Sequence, residues 1–403
     1  MGRTMATRWA CAAAAVLIAA CGGGSAKKQA TPTIPPAPGA TIEIAKAQPL
    51  KIGVSAALSG EQQSLGMDLA DAVELAAKDR GGTFKGHPIR IVRMDDRCND
   101  AEQAVSVARS LVADTNVAGV VGPMCTTGAQ AANSVYEAAH AVHILPAATR
   151  ADLTQQGERF LFRTAWLDDA QAQAQVTYTR STQQATTSVV IDDAEPYGKT
   201  LADGFVAMFE AAGGTVTSRE RIQRGDKDFS AIARKVTTAN PDIVVFEGLN
   251  PEAALVVQAL RKAEYRGAFV APDGVLSARD FISADKTGST DGAIVTGGAA
   301  PDDAFVTKFR DAFKRVPATP FVLQAHDAAT ALLMAIASVA TERADGTLVI
   351  DREQLATTLR AQGLDGLTGK IRFDDHGDRS GSTPEEAGLV IYIVKNGRFE
   401  RAP

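Results

Sequence analysis

Residues 117–149 read VAGVVGPMCTTGAQAANSVYEAAHAVHILPAAT. Val117 to Val121 is an apolar run of strand length that breaks at Gly122-Pro123 and gives way to Cys125-Thr126-Thr127-Gly128. A helix-forming segment, Ala129 to Ala139, comes next, and a second apolar run, Val142 to Leu145, opens into Pro146-Ala147-Ala148-Thr149. A strand that turns straight into a helix headed by two threonines leaves orphan backbone N–H groups beside hydroxyls. Such a terminus holds an anion without a charged side chain. An ordinary helix cap would use the same residues. The second strand, however, delivers Ala147 and Thr149 to the same edge of the sheet, where open α/β folds place ligands. The expectation is a carboxylate-binding site on a parallel sheet, built from Thr126, Ala147 and Thr149.

Working outward, the same rhythm appears on both sides. Leu50 to Leu58 reads as a strand, residues 66–79 as a helix stopped by Gly81-Gly82, Ile89 to Met94 as a strand and Ala101 to Ala113 as a helix. After Phe160-Leu161-Phe162-Arg163-Thr164 the alternation restarts, with strands at Ser188 to Ile191, 242–246, 268–271 and Ala293 to Thr296. Helices at 199–212, 229–239 and 252–264 separate them. This is the βαβ pattern of a doubly wound sheet, given twice, so a ligand is expected between two α/β units. Further helices fall at 303–315 and 325–340, the second too short for a bilayer and read as a buried core helix.

The chain has 403 residues, enough for two domains, and its net charge of −5 argues against a nucleic-acid backbone as partner. Arg3 and Arg8 precede a short apolar segment, Trp9 to Ala20, that meets Cys21. The flank and length fit an export signal over residues 1–20 better than a membrane span. Leu17-Ile18-Ala19-Ala20-Cys21 resembles the bacterial lipobox, which makes Cys21 the expected lipidation site and attaches the chain to a membrane through an N-terminal lipid anchor. Residues 21–48, rich in Gly, Ser, Thr and Pro, read as a flexible tether. The folded part keeps Cys98 and Cys125, which in an oxidising compartment most simply form a disulfide. Two sulfurs without a nearby histidine do not suggest a metal site, and no cofactor motif is present. Asp95-Asp96 reads as a turn, as does Asp374-Asp375-His376-Gly377-Asp378, which lacks an EF-hand's length and terminal glutamate.

Together these features resemble the leucine/isoleucine/valine-binding protein family, the type I solute-binding proteins of ABC importers, over about residues 49 to 400. The landmarks are Ser59-Gly60, Asp95-Asp96-Arg97-Cys98, Gly122-Pro123-Met124-Cys125-Thr126-Thr127, Pro146-Ala147-Ala148-Thr149 and Tyr197-Gly198. They continue through Lys227-Asp228-Phe229, Asn250-Pro251-Glu252, Asp273-Gly274 and Gly369-Lys370-Ile371-Arg372-Phe373-Asp374. The resemblance implies two doubly wound, Rossmann-like α/β lobes joined by three crossovers, lobe I being 49–167 plus 299–386 and lobe II 168–298 plus 387–403. It implies that Thr126, Ala147 and Thr149 grip an α-carboxylate, that Asp273 from the other lobe meets the ammonium, and that Tyr197 covers the ligand. The family's cysteine pair coincides with Cys98 and Cys125. Relatives that bind branched amino acids often carry tyrosines where this chain has Leu65 and Leu249, so the wall here is roomier and more apolar. Asp273 is one methylene shorter than the family's common glutamate. Leu65, Leu249 and Phe321 are expected to line the cavity, although plain core packing would suit them equally.

The function expected is that of an exported, lipid-anchored, monomeric binding protein on the extracytoplasmic face of a bacterial membrane. It would capture a branched-chain or other small apolar amino acid and deliver it to ABC permease subunits. A sensor lipoprotein of the same fold, or a binder of a small amide or other non-amino-acid solute, is the alternative. An enzyme is not expected: the chain has no Gly-x-Ser-x-Gly elbow, His-Glu-x-x-His, P-loop or dinucleotide fingerprint.

Overall fold

A computed structural model describes residues 39, 41–381 and 383–403. The export signal and the Cys21 lipidation site lie outside the described residues. Strands Leu50–Ala56, His87–Asp95, Val117–Val121, His143–Leu145 and Leu161–Arg163 form a parallel sheet in the spatial order second, first, third, fourth, fifth. Strands Thr187–Asp192, Thr215–Arg221, Ile243–Glu247, Ala268–Ala271 and Ile294–Gly298 repeat that order in a second sheet. Leu389–Lys395 and Arg398–Arg401 extend the second sheet with antiparallel pairing. In each sheet the winding reverses between the first and third strands, which opens a crevice at their carboxyl ends. The chain passes between the sheets after Arg163, after Gly298 and before Leu389, which makes three crossovers.

The strand sequences explain this arrangement. All five residues of Val117–Val121 are buried, as expected of a parallel strand covered on both faces. Helix Ala101–Ala113 begins where Asp100 accepts a hydrogen bond from the Gln103 N–H at 2.9 Å. Helix Val322–Val339 is long and apolar enough to pass for a membrane span, yet it is packed against helix Gln63–Asp79 within the first core.

Two sequence expectations change, and one helix is found that the sequence reading did not give. The helix after Cys125 spans Thr126–Ala138, so both threonines belong to its first turn rather than preceding it. The tether does not reach residue 48. Thr41–Ile44 is a strand with Ile42 and Ile44 buried, paired antiparallel to Leu348–Asp351. The alternating Thr-Ile-Glu-Ile signal is short, and its partner is far along the chain. Helix Asp168–Ser181 had no apolar stripe to reveal it, because it buries Gln171, Gln175 and Thr179 beside small alanines.

Cys98 and Cys125 are bonded, with an S–S distance of 2.09 Å and 27 positions between them. The bridge ties the loop after the second strand to the residue that begins helix Thr126–Ala138. Closing a loop of this size restricts the unfolded chain, so Cys98→Ser should cost about 2–3 kcal/mol in denaturant titrations under oxidising conditions. With reductant present, wild type and variant should unfold alike; equal differences in both buffers would contradict a role for the bridge.

Candidate functional site

One end of the crevice starts at Gly122. Its φ is +116°, and a Cβ there would lie 2.2 Å from the Ser55 carbonyl oxygen, so only glycine lets the strand turn off here. Helix Thr126–Ala138 then begins with no side chain capping it, since the residue before it, Cys125, is spent on the disulfide. The donors of the first turn therefore remain available to an anion. Across from them, the Ala147–Arg150 loop is held by Arg163, which is wholly buried. Arg163 donates to the carbonyls of Ala148 at 3.0 Å and Arg150 at 2.7 Å, and to Thr154 Oγ1 at 2.7 Å. Its Nε pairs with Asp378 Oδ1 at 2.7 Å, while Thr154 donates to Asp378 Oδ2 at 2.7 Å. The Asp374–Asp378 turn thus supplies a counter-charge for Arg163. Sequence reading missed this cluster, because the two charges lie far apart along the chain.

The opposite end is acidic. Asp273 follows strand Ala268–Ala271 and is 1% exposed. Its Oδ1 accepts hydrogen bonds from the Tyr197 hydroxyl and from Gln171 Nε2, the latter at 2.9 Å. Burial pushes its carboxyl up to about 6, against the pull of those two donors. Behind it lie Asp168 and Glu247, both buried; burial raises Asp168 to about 7 and also raises Glu247.

Thr126, Ala147, Tyr197, Asp273, Leu65, Leu249 and Phe321 all line one cleft, joined by Met124, Gln62 and Asn99. Thr149, two residues on from Ala147, is held in the same loop. Arg163 draws the carbonyls on either side of Thr149, and the Thr149 carbonyl itself accepts from the Asp168 N–H at 2.9 Å. The residue is fully buried, and its hydroxyl lies close enough to Asp168 to favour that carboxylate without forming an aligned hydrogen bond. Phe321, in a left-handed conformation at the head of helix Val322–Val339, stacks on Trp166 with ring centroids 4.7 Å apart.

The mouth of the cleft is bridged. Gln62 Nε2 donates to the Asn250 carbonyl at 2.9 Å. Arg224 pairs with Glu61 at 2.8 Å and with the buried Glu252 at 2.6 Å. Glu61 and Gln62 adjoin the first sheet, Arg224 and Asn250 the second, so these bonds hold the two halves together over the site. Among the described residues, no group of three or more His, Cys, Asp or Glu is placed to hold a metal.

The family described as periplasmic binding protein matches residues 49–395, and the chain belongs to it. The "leucine-, isoleucine-, valine-, threonine-, and alanine-binding protein" of Pseudomonas aeruginosa is 32% identical, with 84% of this chain and 87% of that protein covered. The leucine-specific-binding protein of Salmonella typhimurium is 30% identical over 84% of this chain and 90% of its own length. A crystal structure of a leucine binding protein from Thermotoga maritima superposes with a TM-score of 0.77 at 25% identity, covering 88% of this chain and 98% of that one.

Proposed function

We propose that the protein captures a branched-chain or similarly apolar α-amino acid in this cleft and passes it to an ABC permease. The observation that carries this reading is the cleft's polarity. An uncapped helix terminus at Thr126 faces it from one half and the buried Asp273 carboxylate from the other, with Leu65, Leu249, Met124 and Phe321 between them. A zwitterion with an apolar side chain satisfies all three regions at once: carboxylate on N–H donors, ammonium on the acid, side chain on the wall. The relatives named for leucine, isoleucine and valine support the same ligand class.

The lobes we assign are 49–167 with 299–386 and 168–298 with 387–403, in accord with the membership of the two sheets. A ligand that needs contacts from both would favour the closed arrangement and shift the population toward it. Export, lipid attachment at Cys21, monomeric action and handover to permease subunits complete the proposal, with Thr126, Ala147 and Thr149 as the carboxylate grip.

Thermal unfolding with individual solutes tests it. A ligand that binds only the folded protein stabilises it by about 2.7 kcal/mol at a hundred times its Kd. Leucine, isoleucine and valine should therefore raise the melting temperature by several degrees, with serine and asparagine weaker because they bury less apolar surface against Leu65, Leu249, Met124 and Phe321. A flat response to every amino acid, together with a rise from a small amide or another neutral solute, would overturn the assignment.

A further inference from the structure

We propose that Gln171 is the positioning residue of this site: its amide holds the carboxylate of Asp273 in place, and the indole of Trp166 decides which way that amide faces. The inference rests on the reading of the cleft given above and extends it to residues that do not touch the ligand.

The geometry is a continuous chain. Trp166 Nε1 donates to Gln171 Oε1 at 2.8 Å, and Gln171 Nε2 donates to Asp273 Oδ1 at 2.9 Å. An indole N–H can only donate and a carboxylate can only accept. An amide placed between them has one orientation that satisfies both, and the reverse rotamer would break both bonds. Trp166, Gln171 and Asp273 are all buried, so water does not compete for either bond. Both side-chain donors to Asp273, Gln171 and Tyr197, use Oδ1, so neither side chain occupies Oδ2.

The chain also has a place in the fold that ordinary core packing would not require. Trp166 lies in the first crossover, between strand Leu161–Arg163 and helix Asp168–Ser181, and stacks on Phe321, a wall of the cleft contributed from the first half. Phe321, Trp166, Gln171 and Asp273 therefore connect the apolar wall on one side to the acid on the other. Asp273 interacts electrostatically with Tyr197, Asp168 and Glu247. All are acids, and the hydrogen bonds from Tyr197, Gln171 and the backbone N–H groups of Asp273 and Gly274 favour its ionised form.

Calorimetric titration with leucine between pH 5 and 8.5 tests the assignment on wild type, Gln171→Met and Trp166→Phe. Methionine keeps the bulk and removes the donor; phenylalanine keeps the stack on Phe321 and removes the N–H. Gln171→Met should weaken binding roughly tenfold at neutral pH, the scale of one hydrogen bond to a charged group. The acidic limb of its affinity profile should move to higher pH, because Asp273 loses a bond made to its ionised form. Trp166→Phe should move the limb the same way by less, and should add nothing in the Gln171→Met background. It also reads the chain by itself should Gln171→Met fail to fold. Unchanged affinity in both variants, or a loss uniform across pH, would overturn the inference while leaving the cleft reading intact. Absence of leucine, isoleucine and valine binding by the wild type would instead remove the cleft reading, and this inference with it.

Discussion

Replacing Asp273 with alanine should weaken leucine binding by about 2–4 kcal/mol, roughly one and a half to three orders of magnitude in Kd, because the ligand's ammonium would be buried without its counter-charge. The residue is 1% exposed, so the lost charge is not replaced by bulk solvent. Asp273→Asn keeps the shape and separates charge from volume; it should lose most of the same affinity. The pH dependence has a definite sign. Burial raises the Asp273 carboxyl to about 6 in the empty protein, so the form that attracts an ammonium predominates above that pH. As pH falls through about 6, the ligand must displace a proton, and affinity should decline by up to tenfold per pH unit. Calorimetry on wild type and Asp273→Asn checks both statements. An alanine variant with wild-type affinity, or a wild-type profile flat from pH 5 to 8, would mean that the ammonium is met elsewhere.

The second large effect is expected at Arg163. Arg163→Met should lower folding stability by about 3–5 kcal/mol, since it strands the buried Asp378 and frees the carbonyls of Ala148 and Arg150. Removing both charges with Arg163→Met and Asp378→Leu should recover part of that loss, because the penalty comes mainly from the unpaired charge rather than from a strongly favourable pair. Urea unfolding of the single and double variants distinguishes these contributions. A cost below about 1 kcal/mol for Arg163→Met would show that the loop carrying Ala147 holds its shape without this cluster. Because that loop forms one edge of the cleft, the same variant should also weaken ligand binding beyond its effect on stability.

The two ends of the site were differently legible. At Gly122 to Thr126, strand, glycine turn and helix start are consecutive, so local chemistry marks the proposed anion end directly. Asp273 and Tyr197 were found through motif order, since nothing in Asp273-Gly274 by itself separates a turn from a ligand contact. Trp166 could have been noticed as the one tryptophan beyond the export segment, placed directly after Phe162-Arg163-Thr164-Ala165. Its partner Gln171 gave no such signal, because a glutamine in a polar helix looks solvated until the helix is seen to be buried. Thr149 shows the converse. Its hydroxyl suits an anion by type, but only the fold shows that it is fully buried, with its carbonyl accepting from the Asp168 N–H.

From the order of residues alone came the α/β rhythm, its repetition in two halves and the helix terminus at Thr126, because these depend on neighbours within a few positions. Folding in three dimensions decided which acids are buried, that Arg163 finds Asp378, and that Trp166, Gln171 and Asp273 join into one chain. Those outcomes depend on dielectric surroundings and on contacts between distant segments. No local stretch of the sequence encodes either one.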